Sequence, residues 1–200
     1  MLDTLLIVVA AYLIGSLASA VIVGRLLGTG DPRAQGSGNP GATNMLRIGG
    51  KKAGALTLVG DMLKGLIAVL IARAIGAGAE VQALAAGAAF VGHLFPVFFG
   101  FRGGKGVATA LGALLGLQWT VGLLVVGTWL AMAALFRISS LAALVAAAAA
   151  PIYMWWLRPE PPFILASVFM TVLLYWRHRS NIRNLLDGTE GRINLGSKKN

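Results

Sequence analysis

The sequence predicts an all-α protein, a polytopic bundle of membrane helices, from its composition and from the length of its apolar runs. Of the 200 residues, 57% are hydrophobic and only 12% are charged, and the mean hydropathy is +0.78. Such a chain has too little polar surface to cover a water-soluble globule, whereas apolar runs of about 20 residues span a bilayer as helices. We expect residues 1–200 to form a single integral membrane domain of about seven transmembrane helices, some of them short.

The polar composition limits the chemistry that the chain can perform. There is no cysteine and there are two histidines, so we expect no metal and no cofactor, because thiolate ligands and zinc-type clusters are missing from the sequence. The formal net charge of +10 is compatible with a nucleic-acid partner. In a bilayer protein, however, this charge indicates cytoplasmic loops and anionic small partners, and we expect no nucleic acid.

The first predicted span covers residues 5–23. Its tripeptide Ala18-Ser19-Ala20 resembles a signal-peptidase site, but Asp3 precedes the span and no Lys or Arg does. We therefore interpret the segment as an uncleaved first helix, in which small residues favour close helix packing. A Gly-rich loop is predicted to follow at residues 28–52.

The second predicted span, about residues 53–77, contains two ionisable side chains. Asp61 and Lys64 are three residues apart and share one helix face. Charges at membrane depth are costly, so the two side chains either neutralise each other or face a polar site. A third span is predicted at about residues 81–99.

The apolar stretch at residues 107–136 permits two interpretations. About 30 residues is too long for one ordinary span, whereas a turn near residues 116–119 makes two passes, the first of only about 12 residues. Two more apolar runs, residues 141–157 and 163–175, complete the predicted bundle.

The distribution of basic residues favours two passes. With about seven spans, only Arg73 and Arg158 lie on one side and Lys64 lies within a span. The basic residues on the other side are Arg25, Arg33, Arg47, Lys51, Lys52, Arg102, Lys105, Arg137, Arg177, Arg179, Arg183, Arg192, Lys198 and Lys199. The positive-inside rule then places the N-terminus outside, the C-terminus in the cytoplasm and the polar motifs on the cytoplasmic face.

The strongest functional signal is the loop Gly36-Ser37-Gly38-Asn39-Pro40-Gly41-Ala42-Thr43-Asn44. Glycine lets successive backbone N–H groups converge on an anion, Ser37 and Thr43 add donors, and Arg47 can bind a phosphate through two N–H groups. A flexible linker is the alternative interpretation. The loop at residues 101–106, which opens the next helix, is a second candidate for anion binding.

Further polar residues fall on the same predicted face. His178 and Asn181 are one helical turn apart, and His178 is a candidate general base or phosphate donor. Ser140 either caps a helix or joins the site, and Arg177 and Arg179 fit anchors at the lipid headgroups.

Four ordered motifs resemble the bacterial acyl-phosphate:glycerol-3-phosphate acyltransferase family (PlsY), and the resemblance covers nearly the whole chain. The motifs are the loop at residues 36–44, Asp61-Met62-Leu63-Lys64-Gly65, the segment from Gly92-His93-Leu94-Phe95-Pro96 to Thr109, and His178-Arg179-Ser180-Asn181-Ile182 closing at Gly188-Thr189-Glu190. Asn184 departs from the family pattern, which usually has Arg there. We leave it outside the predicted site.

The resemblance implies transfer of a fatty acyl group from acyl phosphate to the first hydroxyl of glycerol 3-phosphate in a bacterial inner membrane, giving lysophosphatidic acid and phosphate. The implied catalytic residues are Ser37, Lys105, His178 and Asn181. The implied substrate-binding residues are Ser37, Gly38, Asn39, Gly41, Ala42, Thr43, Asn44, Arg47, Lys105, Ser140, His178 and Asn181.

The sequence offers no Ser-His-Asp arrangement and no cysteine, so we expect direct, metal-independent transfer without an acyl-enzyme. Either His178 or a substrate phosphate takes the hydroxyl proton. We expect a monomer that contacts membrane lipids. The main alternative is an anion or phosphate transporter, and a structural membrane scaffold is a third possibility that leaves the Gly-rich loop unexplained.

Overall fold

The computed structural model describes residues 1–193, and within that range all the regular elements are helical. Lys198 and Lys199, which entered the charge prediction, lie outside the described residues. A short 3-10 helix at Val97–Phe99 follows the fourth α-helix. The α-helices are α1 (Leu2–Gly15), α2 (Ser19–Leu26), α3 (Ala42–Ala74), α4 (Ala79–Leu94), α5 (Val107–Leu117), α6 (Trp119–Phe136), α7 (Ser139–Leu157), α8 (Pro161–Arg177) and α9 (Arg179–Leu186).

The helix lengths confirm an all-helical membrane bundle. Within residues 1–193, four segments are long and apolar enough to cross a bilayer, namely α3, α4 with the 3-10 helix, α6 and α7. The pair α1 and α2, bent by about 40° at the break between them, makes up to five candidates. The helices α5 and α8 are apolar but shorter than 18 residues, so they do not count among these candidates.

The predicted break in residues 107–136 is confirmed. The helix α5 ends at Leu117 and α6 starts at Trp119, with Gln118 in an extended conformation between them. The last carbonyls of a helix have no partner within it. Here the Arg73 guanidinium donates to the carbonyl oxygens of Gly116, at 2.5 Å, and Leu117, at 3.0 Å, which stabilises the end of α5.

The predicted loop at residues 28–52 is wrong in its second half. The helix α3 already begins at Ala42 and continues through a kink at Gly50, where φ is 75°. Glycine adopts this left-handed conformation with little strain. On both sides of the kink, Met45 and Ala53 are buried in one cluster with residues of α2. This tertiary packing stabilises helix where the glycines indicated a loop.

The helix ends gather on two opposite faces of the bundle. At one face the Arg73 side chain, near the end of α3, lies 3.5 Å from Gln82 in α4. Arg158, just after α7, donates to the Leu117 carbonyl at the end of α5. The start of α1 borders the same region beside Ala77. The helices α3, α5 and α7 therefore all end at this face, and their first residues lie at the other.

The buried charges occupy the break between α1 and α2. Lys64 donates to the Leu17 carbonyl at 2.8 Å and pairs with the Asp61 carboxylate at 2.9 Å. Nδ1 of His93 lies 3.5 Å from the same carboxylate oxygen. Of the two sequence-based alternatives, mutual neutralisation is confirmed, and Asp61 and His93 also border the cavity described below.

Glycines set the close approach of the helices. A Cβ atom added to Gly15 would overlap the backbone of Ala89, one added to Gly65 would overlap Thr109, and one added to Gly112 would overlap Met62. Small residues allow membrane helices to pack backbone against backbone. These contacts bring α1 against α4 and α3 against α5.

Candidate functional site

A cavity of about 380 Å³ opens at the face of the bundle where α3, α5 and α7 begin and α8 ends. Its volume falls in the range of small-molecule sites. Gly38 does not line the cavity but lies in the same loop, with φ of 70°. The predicted site residues that do line it are Ser37, Asn39, Gly41, Ala42, Thr43, Asn44, Arg47, Lys105, Ser140, His178 and Asn181.

The loop before α3 is held by Asn44. This buried side chain donates from Nδ2 to the carbonyls of Pro32 and Gln35, both at 3.0 Å, and its Oδ1 accepts from the Ser37 N–H at 3.0 Å. A Cβ on Gly36, where φ is 59°, would overlap Oδ1 of Asn44. Asn44 therefore borders the cavity and also shapes the loop, since its amide is engaged by the backbone.

Two of the helices that begin at the cavity have a cation near their first turn, and neither of them has a capping side chain. The helix α3 starts after Gly41, and α5 starts after Gly106. The first N–H groups of a helix have no acceptor within the helix and favour anions. Arg47 shares a face of α3 with Thr43, one turn earlier, and Lys105 directly precedes Gly106. The positively polarised ends of α3 and α5 thus each have a cation nearby at the cavity.

A hydrogen-bonded network joins three segments at the mouth of the cavity. The Lys105 ammonium donates to Oδ1 of Asn181, and Nδ2 of Asn181 donates to Oε1 of Glu190 at 2.6 Å. Oγ of Ser140 donates to the same oxygen at 2.7 Å. Asn184 donates to the other carboxylate oxygen at 3.2 Å. Glu190 therefore connects the start of α7 with α9 and, through Asn181, with Lys105.

Several residues that line the cavity were not among the predicted site residues. Glu190 closes the last of the recognised motifs, so its position was a signal for the site. Asp61 was predicted either to be neutralised by Lys64 or to face a polar site, and His93 was named only within a recognised motif. No sequence spacing places either residue at this cavity. Ser139 also lines the cavity, where its Oγ lies 3.4 Å from Oγ1 of Thr43.

His178 lies buried where α8 meets α9. Its Nδ1 is 2.9 Å from the Leu174 carbonyl. Because a carbonyl oxygen only accepts, this contact assigns the proton to Nδ1 and leaves Nε2 as a hydrogen-bond acceptor. Burial, with a smaller contribution from the Lys105 charge, lowers the pKa of His178 to about 4. The imidazole is therefore neutral at ordinary working pH.

Burial and hydrogen bonding shift the pKa values of the charged residues at the mouth of the cavity. Burial lowers the pKa of Lys105. Burial alone raises the pKa of Glu190, but hydrogen bonds from Ser140, Asn181 and Asn184 outweigh it and hold the pKa below its usual value. Glu190 is therefore a stable carboxylate close to the lysine. Within residues 1–193, no group of three or more His, Asp or Glu side chains is placed to hold a metal ion.

The cavity becomes apolar away from its mouth, between α5, α6, α7 and α8. Ala150 lies about 15 Å along α7 from Ser140, at 1.5 Å of rise per residue, and both residues line the cavity. This shape suits a ligand with an anionic head and a long apolar chain. The alanines that α7 contributes to the lining are Ala143, Ala146, Ala147 and Ala150.

Sequence comparison finds similar proteins along nearly the full chain. The family model described as glycerol-3-phosphate acyltransferase matches residues 5–188. The glycerol-3-phosphate acyltransferase of Thioalkalivibrio sulfidiphilus is 56% identical over 192 residues, which cover 96% of this chain and 95% of that protein. The protein of the same name from Methylococcus capsulatus is 56% identical over 194 residues, covering 97% of each chain.

Structural comparison finds the same architecture in two crystal structures of PlsY (YgiH), an integral membrane glycerol 3-phosphate acyltransferase. The glycerol 3-phosphate form superposes with a TM-score of 0.91 at 39% identity. The lysophosphatidic acid form superposes with a TM-score of 0.89 at 38% identity. Each comparison covers 96% of this chain and 96% of the other.

Proposed function

Because the chain belongs to the glycerol-3-phosphate acyltransferase family, we propose that it transfers a fatty acyl group from acyl phosphate to the 1-hydroxyl of glycerol 3-phosphate. The products are lysophosphatidic acid and phosphate. One observation carries the proposal. A single cavity joins two helix N-termini, with Arg47 and Lys105 beside them, to an apolar channel between α5 and α8. Two anion sites fit two phosphorylated substrates, which favours acyl phosphate over an acyl donor without a phosphate at its reacting end.

The two phosphates have separate sites in this proposal. Arg47 and Lys105 bind the phosphate of glycerol 3-phosphate, and the backbone from Gly38 to Thr43 binds the phosphate of the acyl donor. Ser37 and Asn39 add donors to the second site. The acyl chain occupies the alanine-lined channel of α7.

His178 and Asn181 orient the attacking hydroxyl. The new bond joins the 1-hydroxyl oxygen to the acyl carbon, and the bond from that carbon to the phosphate oxygen breaks. A phosphate has its second pKa at about 6, above the pKa of about 4 of His178, so the departing phosphate is the better proton acceptor. Nε2 of His178 then accepts a hydrogen bond from the hydroxyl and aligns it.

Transfer is direct and needs no metal. Acyl phosphate is already activated, and the N–H groups of the Gly38 to Thr43 backbone, at the start of α3, stabilise the charge of the departing phosphate. A transporter would centre its site at the middle of the membrane, whereas these residues gather at one face. Family membership also supports an enzyme over the transporter and scaffold alternatives.

The proposed topology has about seven spans, with α5 and α8 crossing a locally thin bundle and the cavity facing the cytoplasm of a bacterial inner membrane. Arg73 and Arg158 lie at the opposite face, as the charge rule requires. The exposed Trp119, Trp155 and Trp156 fall near that face and suit an outer interfacial belt. The chain is a single domain that works as a monomer. A C-terminal reporter should be active only in the cytoplasm, and activity outside the membrane would refute this topology.

The activity test uses purified protein in lipid nanodiscs. With acyl phosphate and glycerol 3-phosphate, lysophosphatidic acid should form in the presence of a strong chelator, and an acyl thioester should not replace the donor. Incubation with labelled acyl phosphate alone should leave no label on the protein. Turnover that requires an added divalent metal, or a covalently labelled protein that reacts with glycerol 3-phosphate, would contradict the mechanism.

A further inference from the structure

Arg177, the last residue of α8, does not reach outward to headgroups. Its Nη2 donates to the Gly103 carbonyl at 2.8 Å, and its Nε donates to the Gly104 carbonyl at 3.1 Å. The guanidinium also lies 5.8 Å from the centroid of the Phe95 ring. The headgroup interpretation of Arg177 is therefore wrong, because one planar fork binds two consecutive backbone carbonyls.

These hydrogen bonds decide which way the loop's N–H groups point. In a trans peptide the carbonyl of one residue and the N–H of the next point to opposite sides. With the carbonyls of Gly103 and Gly104 held by Arg177, the N–H groups of Gly104 and Lys105 point away from it. Neither N–H has a hydrogen-bond acceptor in the part of the chain that the structure describes. The cavity is lined by Lys105 and Gly106 and not by Arg177.

The loop is also fixed from the side of α4. A Cβ on Gly103 would overlap the carbonyls of His93 and Leu94, and a Cβ on Gly104 would overlap the imidazole of His93. The two glycines therefore sit against α4 while Arg177 binds their carbonyls. The hydrogen bonds from Arg177 in α8 and the close packing against α4 together fix the orientation of the Gly103 and Gly104 peptide groups.

We propose that Arg177 is a positioning residue for substrate phosphate. It acts through the Gly103 and Gly104 peptide groups, whose orientation turns the N–H groups at the start of α5 toward the phosphate that Lys105 binds. The inference rests on the proposed function, because it takes that phosphate to belong to glycerol 3-phosphate. Arg177 thereby affects substrate binding without contacting the substrate.

The test compares Arg177→Lys with Arg179→Lys in nanodiscs. Both substitutions keep the charge, and Arg179 is a matched control, since it is exposed and its guanidinium contacts the carbonyl and ring of Trp176. A lysine ammonium cannot reproduce the planar fork that binds both carbonyls. We expect Arg177→Lys to raise KM for glycerol 3-phosphate about tenfold, with kcat and KM for acyl phosphate changed less than about twofold. Arg179→Lys should leave all three constants unchanged.

A second variant separates positioning from folding. Arg177→Ala should bind glycerol 3-phosphate weakly in calorimetry, and added methylguanidinium should restore part of the binding and lower KM. The proposal is overturned by an unchanged KM in Arg177→Lys, by equal losses for both substrates, or by variants that fail to fold without rescue. If the wild-type protein itself neither binds glycerol 3-phosphate nor forms lysophosphatidic acid, the proposed function fails instead.

Discussion

The ammonium of Lys105 donates to the amide oxygen of Asn181, across 76 positions of the chain. Lys105 precedes α5, and Asn181 lies in α9. The amide nitrogen of Asn181 is in turn held by Glu190, which also accepts from Ser140. The residue proposed to bind phosphate and the residue proposed to orient the hydroxyl are thus mechanically linked, so a change at one should be felt at the other.

Lys105→Ala should raise KM for glycerol 3-phosphate and lower kcat. The substitution removes a charge from the bound phosphate and also frees Asn181 to move. Hydrogen bonds to charged groups contribute about 1.5 to 3 kcal/mol, so kcat/KM should fall roughly 10- to 100-fold. Steady-state kinetics over a wide range of glycerol 3-phosphate checks this. Lys51→Ala, a substitution on the exposed side of α3, is the control, and equal kinetics for the two variants would contradict the assignment.

His178→Ala should lower kcat by less than about 100-fold. A general base contributes roughly 10² to 10⁴, and the low pKa of His178, about 4, makes it a weak base. His178→Gln, whose side chain can still accept a hydrogen bond, should retain more activity than His178→Ala. A loss approaching 10⁴ in both variants would instead identify the imidazole as the proton acceptor.

The stability of the protein should fall between pH 6.5 and pH 4 because of His178. Burial holds its folded pKa at about 4, below the ordinary value of 6.5, so in this window the unfolded chain binds more protons than the folded one. Stability therefore decreases as the pH falls, by roughly 1 to 3 kcal/mol for this residue. Thermal unfolding in detergent at several pH values, with His178→Gln as reference, measures it. The same pH dependence in both proteins would refute the assignment.

Ala150→Leu should shorten the preferred acyl chain. Ala150 is 2% exposed and lines the far part of the channel, and each methylene that loses its place there costs about 0.8 kcal/mol. The ratio of kcat/KM for long over short acyl phosphates should drop roughly tenfold. Ala148→Leu is the control, because Ala148 lies exposed on the same helix. An unchanged ratio would place the acyl chain elsewhere.

Asp61→Leu and Lys64→Met should each lower the free energy of unfolding strongly, and the double variant should lose less than the sum of the two single losses. Both side chains are 4% exposed and 2.9 Å apart, and removal of one partner from a buried pair leaves an uncompensated charge, at a cost of about 3 to 5 kcal/mol. Removal of both should cost less than the sum of the two single changes. Thermal unfolding of the three variants gives the coupling, and strict additivity would mean that the pair does not interact.

The sequence alone determined the class of the fold and named most residues of the candidate site. Composition and run length indicated a helical membrane protein, because only helices of that apolarity suit a bilayer. Charge bias favoured a break near residues 116–119, where the structure has one at Gln118, and the Gly-rich and histidine motifs named residues that the structure brings around one cavity. These properties follow from local patterns, which can be read along the chain.

The tertiary structure decided what depends on contacts between distant segments. The start of α3 at Ala42 is stabilised by packing against α2. The glycines of this segment predicted a loop, and nothing in the local sequence indicates this packing. Glu190 enters the site because α9 returns the chain over Ser140, and Arg177 faces the Gly103 and Gly104 carbonyls rather than lipid. The direction of a side chain at a helix end depends on which neighbouring segment offers an unsatisfied carbonyl or carboxylate. The identity of that neighbour cannot be predicted from sequence spacing.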